Sequence, residues 1–161
     1  MALKVFNILF PFLAGSLIFQ TIQQDESGKQ VNPKNLPATS IEGAWELHAT
    51  ESGGVTTIHK KPKQIKIYSD GHACLIHYDE DGKFEFASAG TYQADGNIIR
   101  EKATYHTQNF WLGVTLEAEW SLSSNGDTLF IAGPKKVVLG DGRDITKDIR
   151  QRKEIKVRVK I

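Results

Sequence analysis

The chain has 161 residues, with 20 Lys plus Arg against 19 Asp plus Glu. That length suffices for one domain with a real core and little more. A formal net charge of +1 sets up no global field that would draw the protein to nucleic acid or to anionic lipid. The remaining composition, with 14 Gly and few long apolar runs, is that of an ordinary globular protein.

The first twenty residues depart from that composition. MALKVFNILFPFLAGSLIFQ carries one Lys at position 4, an apolar run from Val5 to Phe19, and small residues at Ala14, Gly15 and Ser16. This layout predicts a secretory signal over residues 1–22. The run contains Asn7 and Pro11 and is shorter than the about 20 residues that span a bilayer comfortably. An uncleaved anchor is the competing reading. With the signal removed, no transmembrane span is expected. Residues 23–40, which include QQDESGKQVNPKNLPATS, are polar, aperiodic and marked by two prolines, so they read as a flexible lead-in.

The one cysteine, Cys74, has no partner in the chain, so no internal disulfide can form. A signal without disulfides points to a bacterial periplasmic or secreted protein. Cys74 lies within the apolar run HACLIHY and is expected to be a buried, inert thiol.

From Ile41 onward the apolar residues recur with period two, the pattern of half-buried strands. Ile41, Gly43, Trp45, Leu47 and Ala49 share one face of the first strand. After a loop, ESGGVTTIHKKP, the segment KQIKIYSD ends at Asp70-Gly71 and HACLIHY follows. Asp81-Gly82 precedes KFEFASAGTYQ, and Asp95-Gly96 precedes NIIREKATYHT. The longest strand is expected over FWLGVTLEAEWSLS. It puts Phe110, Leu112, Val114, Leu116, Ala118, Trp120 and Leu122 on one face, with Trp111 among the polar residues of the other. Asn125-Gly126 leads to DTLFIAG, and the GDG at 140–142 marks one more reversal. The segment DITKDIRQRKE has room for a turn or two. EIKVRVKI closes the chain, alternating apolar residues with Lys156, Arg158 and Lys160.

The Asx-Gly pairs suit tight hairpins. Connections this short allow only antiparallel neighbours. The sequence therefore predicts an all-β fold, an antiparallel up-and-down meander of about eight strands over residues 41–161. Closure into a barrel removes the two edges that such a sheet would otherwise expose.

A Gly-x-Trp at Gly43 and Trp45, opening a meander of about eight strands, resembles the lipocalin and fatty-acid-binding (calycin) superfamily. It is most similar to the small exported lipocalin-like proteins of Bacteroides-type bacteria. The resemblance implies a barrel in which the glycine allows a tight entry turn and the tryptophan plugs one end. It also implies a basic residue laid over the indole, to be supplied by Arg150, Arg152 or Arg158.

The same resemblance implies a small hydrophobic ligand held inside, with no catalysis, no cofactor and a monomeric chain. The candidate lining is Trp45, Phe84, Phe86, Tyr92, Leu112, Val114, Leu116 and Trp120, around a pocket between Trp45 and the long strand. The opposing reading is that these side chains simply fill the barrel. No catalytic motif is found. The five histidines show no metal-ligand spacing, since His72 and His77 point to opposite faces of one strand. Glu117 and Glu119 share a face and read as a solvated row. The basic C-terminal run reads as the outer face of the closing strand. An alternative function is an envelope interaction module contacting a glycan or a protein through Trp111 and that run.

Overall fold

The computed structural model describes residues 40–61 and 63–160. The expected signal, and all of the expected lead-in but Ser40, lie outside the described residues. The strands are β1 (Gly43–Ser52), β2 (Val55–Ile58), β3 (Gln64–Ser69), β4 (His72–Tyr78) and β5 (Phe84–Asp95). They continue with β6 (Ile98–His106), β7 (Thr115–Leu122), β8 (Thr128–Val138) and β9 (Arg152–Arg158). Short 3-10 turns occupy Asn109–Trp111 and Thr146–Asp148. Among the described residues there is no α-helix.

Every pairing is antiparallel, in the order β2-β1-β3-β4-β5-β6-β7-β8-β9, and β1 also pairs with β9. Strands β1 and β3–β9 therefore form a closed barrel of eight, and β2 is a ninth strand folded back on the C-terminal half of β1. The meander follows from its turns. Between β3 and β4, Asp70 and Gly71 both take positive φ, 47° and 72°, as a two-residue hairpin of this twist requires.

The core sits at the end of the barrel where β1 begins. Trp45 is completely buried there, packed with Ile41, Tyr68, Tyr92, Ile99 and Leu129. Its Nε1–H donates to the Ile41 carbonyl at 2.7 Å. The Arg158 guanidinium lies over the indole, 4.1 Å from the ring centroid. Its Nη1 donates to the Glu42 carbonyl at 2.8 Å and its Nε to the Gly126 carbonyl at 3.1 Å. Arg158 is thus the residue that covers Trp45. Arg152 lies at the start of β9, at the other end of the barrel, and takes no part in this contact. Gly43 has φ of 128°, and a Cβ there would come within 2.5 Å of Arg158 Nη1. Only glycine fits both the backbone and the space.

Four expectations need correction. The expected long strand from Phe110 is broken, because Trp111 N–H and Leu112 N–H bond back to the Gln108 and Asn109 carbonyls. Only Thr115–Leu122 is strand, and Phe110 and Leu112 are exposed. The loop ESGGVTTIHKKP contains β2, an exposed hairpin arm that its Thr-rich, patternless sequence does not announce. Cys74 is exposed. HACLIHY is apolar on both faces, so its period alone does not say that Ala73, Leu75 and His77 are the ones turned inward.

The fourth correction concerns β9. Lys156 is only 1% exposed, and Lys156 and Arg158 face the interior rather than the solvent. On the outer side of the same strand, Lys153 lies 4.8 Å from the Phe130 ring centroid.

Gly43→Ala is expected to destabilise the barrel by about 2 kcal/mol through backbone strain and displacement of Arg158. Thermal unfolding followed by circular dichroism checks this; an unchanged melting temperature would show that the closed end does not depend on the Gly43–Arg158 fit.

Candidate functional site: the barrel cavity

The opposite end of the barrel is hollow. Two adjoining lobes of about 380 Å³ each share Lys66, Leu75, Glu101, Trp111, Leu116 and Arg152 among their walls. Each lies in the range of about 300–1,000 Å³ common for small-molecule sites. The first lobe is mainly apolar, walled by Leu75, Phe86, Ala103, Val114, Leu116 and Val137. The second also has a mostly apolar surface, but it gathers the polar and charged groups Tyr68, Glu154 and Lys156 on its walls.

Period-two alternation makes this interior, but with opposite polarity on different strands. On β7 the inward residues are Leu116 and Ala118, while Glu117 and Glu119 face outward. Outside, Glu117 accepts a bond from Arg100 at 2.8 Å, and Glu119 pairs with Lys135. On β3 the inward residues are Gln64, Lys66 and Tyr68, and Ile65 and Ile67 face outward. On β9 the inward set is Arg152, Glu154 and Lys156.

These polar side chains form two networks. Glu101 of β6 accepts from Lys66 Nζ on one oxygen and from the Tyr68 hydroxyl on the other, each at 2.5 Å. Glu154 accepts from Arg152 Nη2 at 2.6 Å and from Lys156 Nζ at 2.8 Å, and Lys156 also donates to Gln64 Oε1. Burial by itself would push the Glu154 carboxyl up. Lys156, Arg152 and Lys66 outweigh it and hold the group at about 2. Burial pushes the Lys156 ammonium down, against the pull of Glu154. Tyr68 is raised well above its ordinary value by burial and then by Glu101, so its hydroxyl stays a proton donor. The arrangement pairs the interior charges with one another.

A row of rings lines the apolar lobe near the mouth. His77 stacks on Phe86 at 4.7 Å between centroids, and Phe86 on His106 at 5.3 Å. These spacings are close to the separation of adjacent strands, so the rings stack along the wall and turn their edges to the cavity. Burial lowers the pKa of both histidines, which favours the neutral rings. The Gln108 N–H donates to His106 Nδ1 at 3.0 Å, which assigns the neutral ring's proton to Nε2.

The structure sorts the sequence-derived lining into three places. Phe86, Val114 and Leu116 lie on the cavity wall. Phe84 and Leu112 are exposed, at 51% and 49%. Trp45 and Tyr92 are buried in the core at the closed end, with Trp120 packed against them. The expected pocket between Trp45 and the long strand is therefore not there, because tight packing around Trp45 fills that end. Trp111, expected among the polar residues of the long strand, lines both lobes from its 3-10 turn. Period-two reasoning missed Gln64, Lys66, Glu101, Glu154 and Lys156, since it assigns the apolar face of each strand to the inside.

The fold and cavity define an antiparallel closed barrel, plugged at one end and hollow at the other. No family model and no curated protein matches the sequence. Among solved structures it is similar to a lipocalin-like protein from Bacteroides uniformis, 13% identical, with a TM-score of 0.49 over 73% of this chain and 97% of that one. It is also similar to an uncharacterized protein from Bacteroides eggerthii, 10% identical, with a TM-score of 0.48 over 74% of this chain and 100% of the other.

Lys156→Met is expected to destabilise the protein by about 3 kcal/mol, because it leaves the Glu154 carboxylate enclosed with one partner fewer. Adding Glu154→Gln to that variant is expected to recover most of the loss in urea unfolding. With a folded pKa of about 2 against an ordinary 4.5, Glu154 contributes stability that is complete above pH 4.5 and lost as pH falls towards 2. The acid limb of the stability profile should accordingly flatten in Glu154→Gln; an unaltered limb would remove Glu154 from this role.

Proposed function

We propose that the protein is a non-enzymatic carrier that holds a small, mostly apolar molecule in its barrel. The observation that carries this reading is the two-lobed cavity with Leu75, Phe86, Ala103, Val114 and Leu116 on its walls. Apolar walls favour an apolar guest by removing its surface from water, at about 25 cal/mol per Å². The ionic networks beside it are internally paired, so they orient a guest rather than react with it. The secretory layout of residues 1–22 supports an exported or periplasmic place of work for such a carrier.

The alternative of an interaction module acting through Trp111 and the basic strand draws less support. Trp111 lines the cavity, Lys156 is buried and Arg158 is engaged with Trp45.

Native mass spectrometry of the purified protein, with solvent extraction of the same sample, tests the carrier reading. A stoichiometric copurified small molecule, or displacement of a fluorescent apolar probe by added lipid, is the expected result. Ala103→Phe should fill the apolar lobe and weaken probe binding by at least about tenfold while the closed end stays folded. Equal binding by the variant and the parent would place the probe elsewhere and remove the cavity from this role.

A further inference from the structure

The ninth strand creates a site that the eight-stranded barrel alone does not have. Beside the cavity mouth a notch of about 220 Å³ is lined by Thr50 and Ser52 of β1, Val55 and Thr57 of β2, and Arg150 and Arg152. Three of the six side chains end in hydroxyls and two in guanidinium groups. Arg150 and Arg152 also line the second lobe, so the notch and the cavity share a wall.

The charges here do not balance. On the walls of the second lobe the strands place the cations Lys66, Arg152 and Lys156 and the anions Glu101 and Glu154, three against two. Each carboxylate is already engaged: Glu101 by Lys66, Glu154 by Lys156 and Arg152. Arg150 adds a further cation, and among the described residues no carboxylate pairs with it. Its Nε donates to Ser52 Oγ at 3.0 Å, while Ser52 Oγ donates to the Gln151 carbonyl at 3.0 Å. Those two bonds hold the guanidinium at the notch and leave its two terminal NH₂ groups for another acceptor. Arg152 gives only one Nη to Glu154. Thr50 Oγ1 lies 3.4 Å from His59 Nε2. The His59 pKa is lowered by burial first and then by Lys63 and Arg152, consistent with the positive potential at this end.

We propose that this notch binds an oxyanionic head group, a phosphate monoester in preference to a carboxylate, whose apolar tail enters the barrel cavity. Paired guanidinium forks match phosphate oxygens in geometry and charge. The hydroxyls of Thr50 and Thr57 add donors on the opposite wall. The inference rests on the carrier reading for the tail, but the head-group site stands on its own residues. It also assigns a purpose to β2, whose side chains are otherwise exposed and add nothing to the core.

The test uses the full chain and four probes with the same twelve-carbon chain: dodecyl phosphate, dodecanoate, dodecanol and dodecylammonium. Each is titrated against a cavity-bound fluorophore. Dodecyl phosphate is expected to bind at least about tenfold more tightly than dodecanol, the worth of one charge-assisted hydrogen bond, and dodecylammonium least tightly. Arg150→Gln and Thr57→Val should each reduce the phosphate preference, and Thr57→Val should leave dodecanol binding unchanged, a split that general loss of structure would not produce. Equal affinity for dodecyl phosphate and dodecanol, or a preference that survives both substitutions, overturns the proposal.

A second measurement separates the notch from the carrier reading. Inorganic phosphate titrated into the ¹⁵N-labelled protein should shift the amides of Thr50, Ser52 and Thr57. If no alkyl probe displaces the fluorophore but these amides still shift, the carrier reading fails and the notch stands. If they do not shift, the notch fails whatever the tail does.

Discussion

Closure of this barrel turns on one side chain, Arg158, laid over Trp45. The last strand has to find the first across more than a hundred residues, and pairing of β1 with β9 alone does not choose its own register. Arg158 does, because it makes three contacts at once: the indole face, the Glu42 carbonyl and the Gly126 carbonyl. A slip of one residue would turn Arg158 outward and bring Val157 or Val159 over the ring, losing the cation–π contact and both carbonyl bonds. The same register brings Lys156 opposite Leu47 and Glu154 opposite Thr50. The cavity floor is therefore a consequence of the plug.

That floor reverses the usual rule for a strand with one wet and one dry face. On β3 and β9 the polar side chains are inside and the isoleucines and valines are on the outer half of the wall. The arrangement is tolerable because the inner polar groups are satisfied by one another. Glu101 and Glu154 each accept two bonds, and the two lysines that face them donate. A single member removed would leave its partner enclosed without compensation, which costs more than the pair contributes. The interior is thus fixed as a set, with its apolar lobe placed beside it by the small Ala73 and Ala103 and the ring row at Phe86.

The fold was legible from the sequence and the site only in part. Asx-Gly spacing and period two carried the meander, and Gly43 with Trp45 carried the closed end, because these signals are local. Which of three arginines meets Trp45 depends on the β1–β9 register, a pairing across the whole chain that no local pattern encodes. The inward face of β7 could be read, since Leu116, Ala118 and Trp120 contrast sharply with Glu117 and Glu119. The inward faces of β3 and β9 could not. In QIKIYS and EIKVRVKI the alternation is equally clear, but the apolar half was assigned to the inside. The one local hint is Tyr68, an aromatic sharing a face with Gln64 and Lys66 and so marking that face as one with something to pack against. Trp111 was misplaced for a related reason. Its neighbours alternate as a strand would, and only the backward bonds to Gln108 and Asn109 show that the chain turns there.

These two features, the reversed strands and the added β2, meet at the same place. β9 enters the barrel at Arg152, where its polar face is inward, and β2 pairs with the other edge of β1 at the same level. Had β9 carried its apolar face inward, the mouth would be greasy throughout and β2 would shield nothing of consequence. With Arg150 and Arg152 there, the hairpin arm supplies Thr57 and Val55 as a facing wall and turns a charged rim into a concave one. Concavity is what distinguishes a site from a surface charge, since screening by solvent weakens an exposed cation and a walled one keeps its reach. The extra strand and the inverted strand are therefore best understood together, as the two halves of the cavity's entrance.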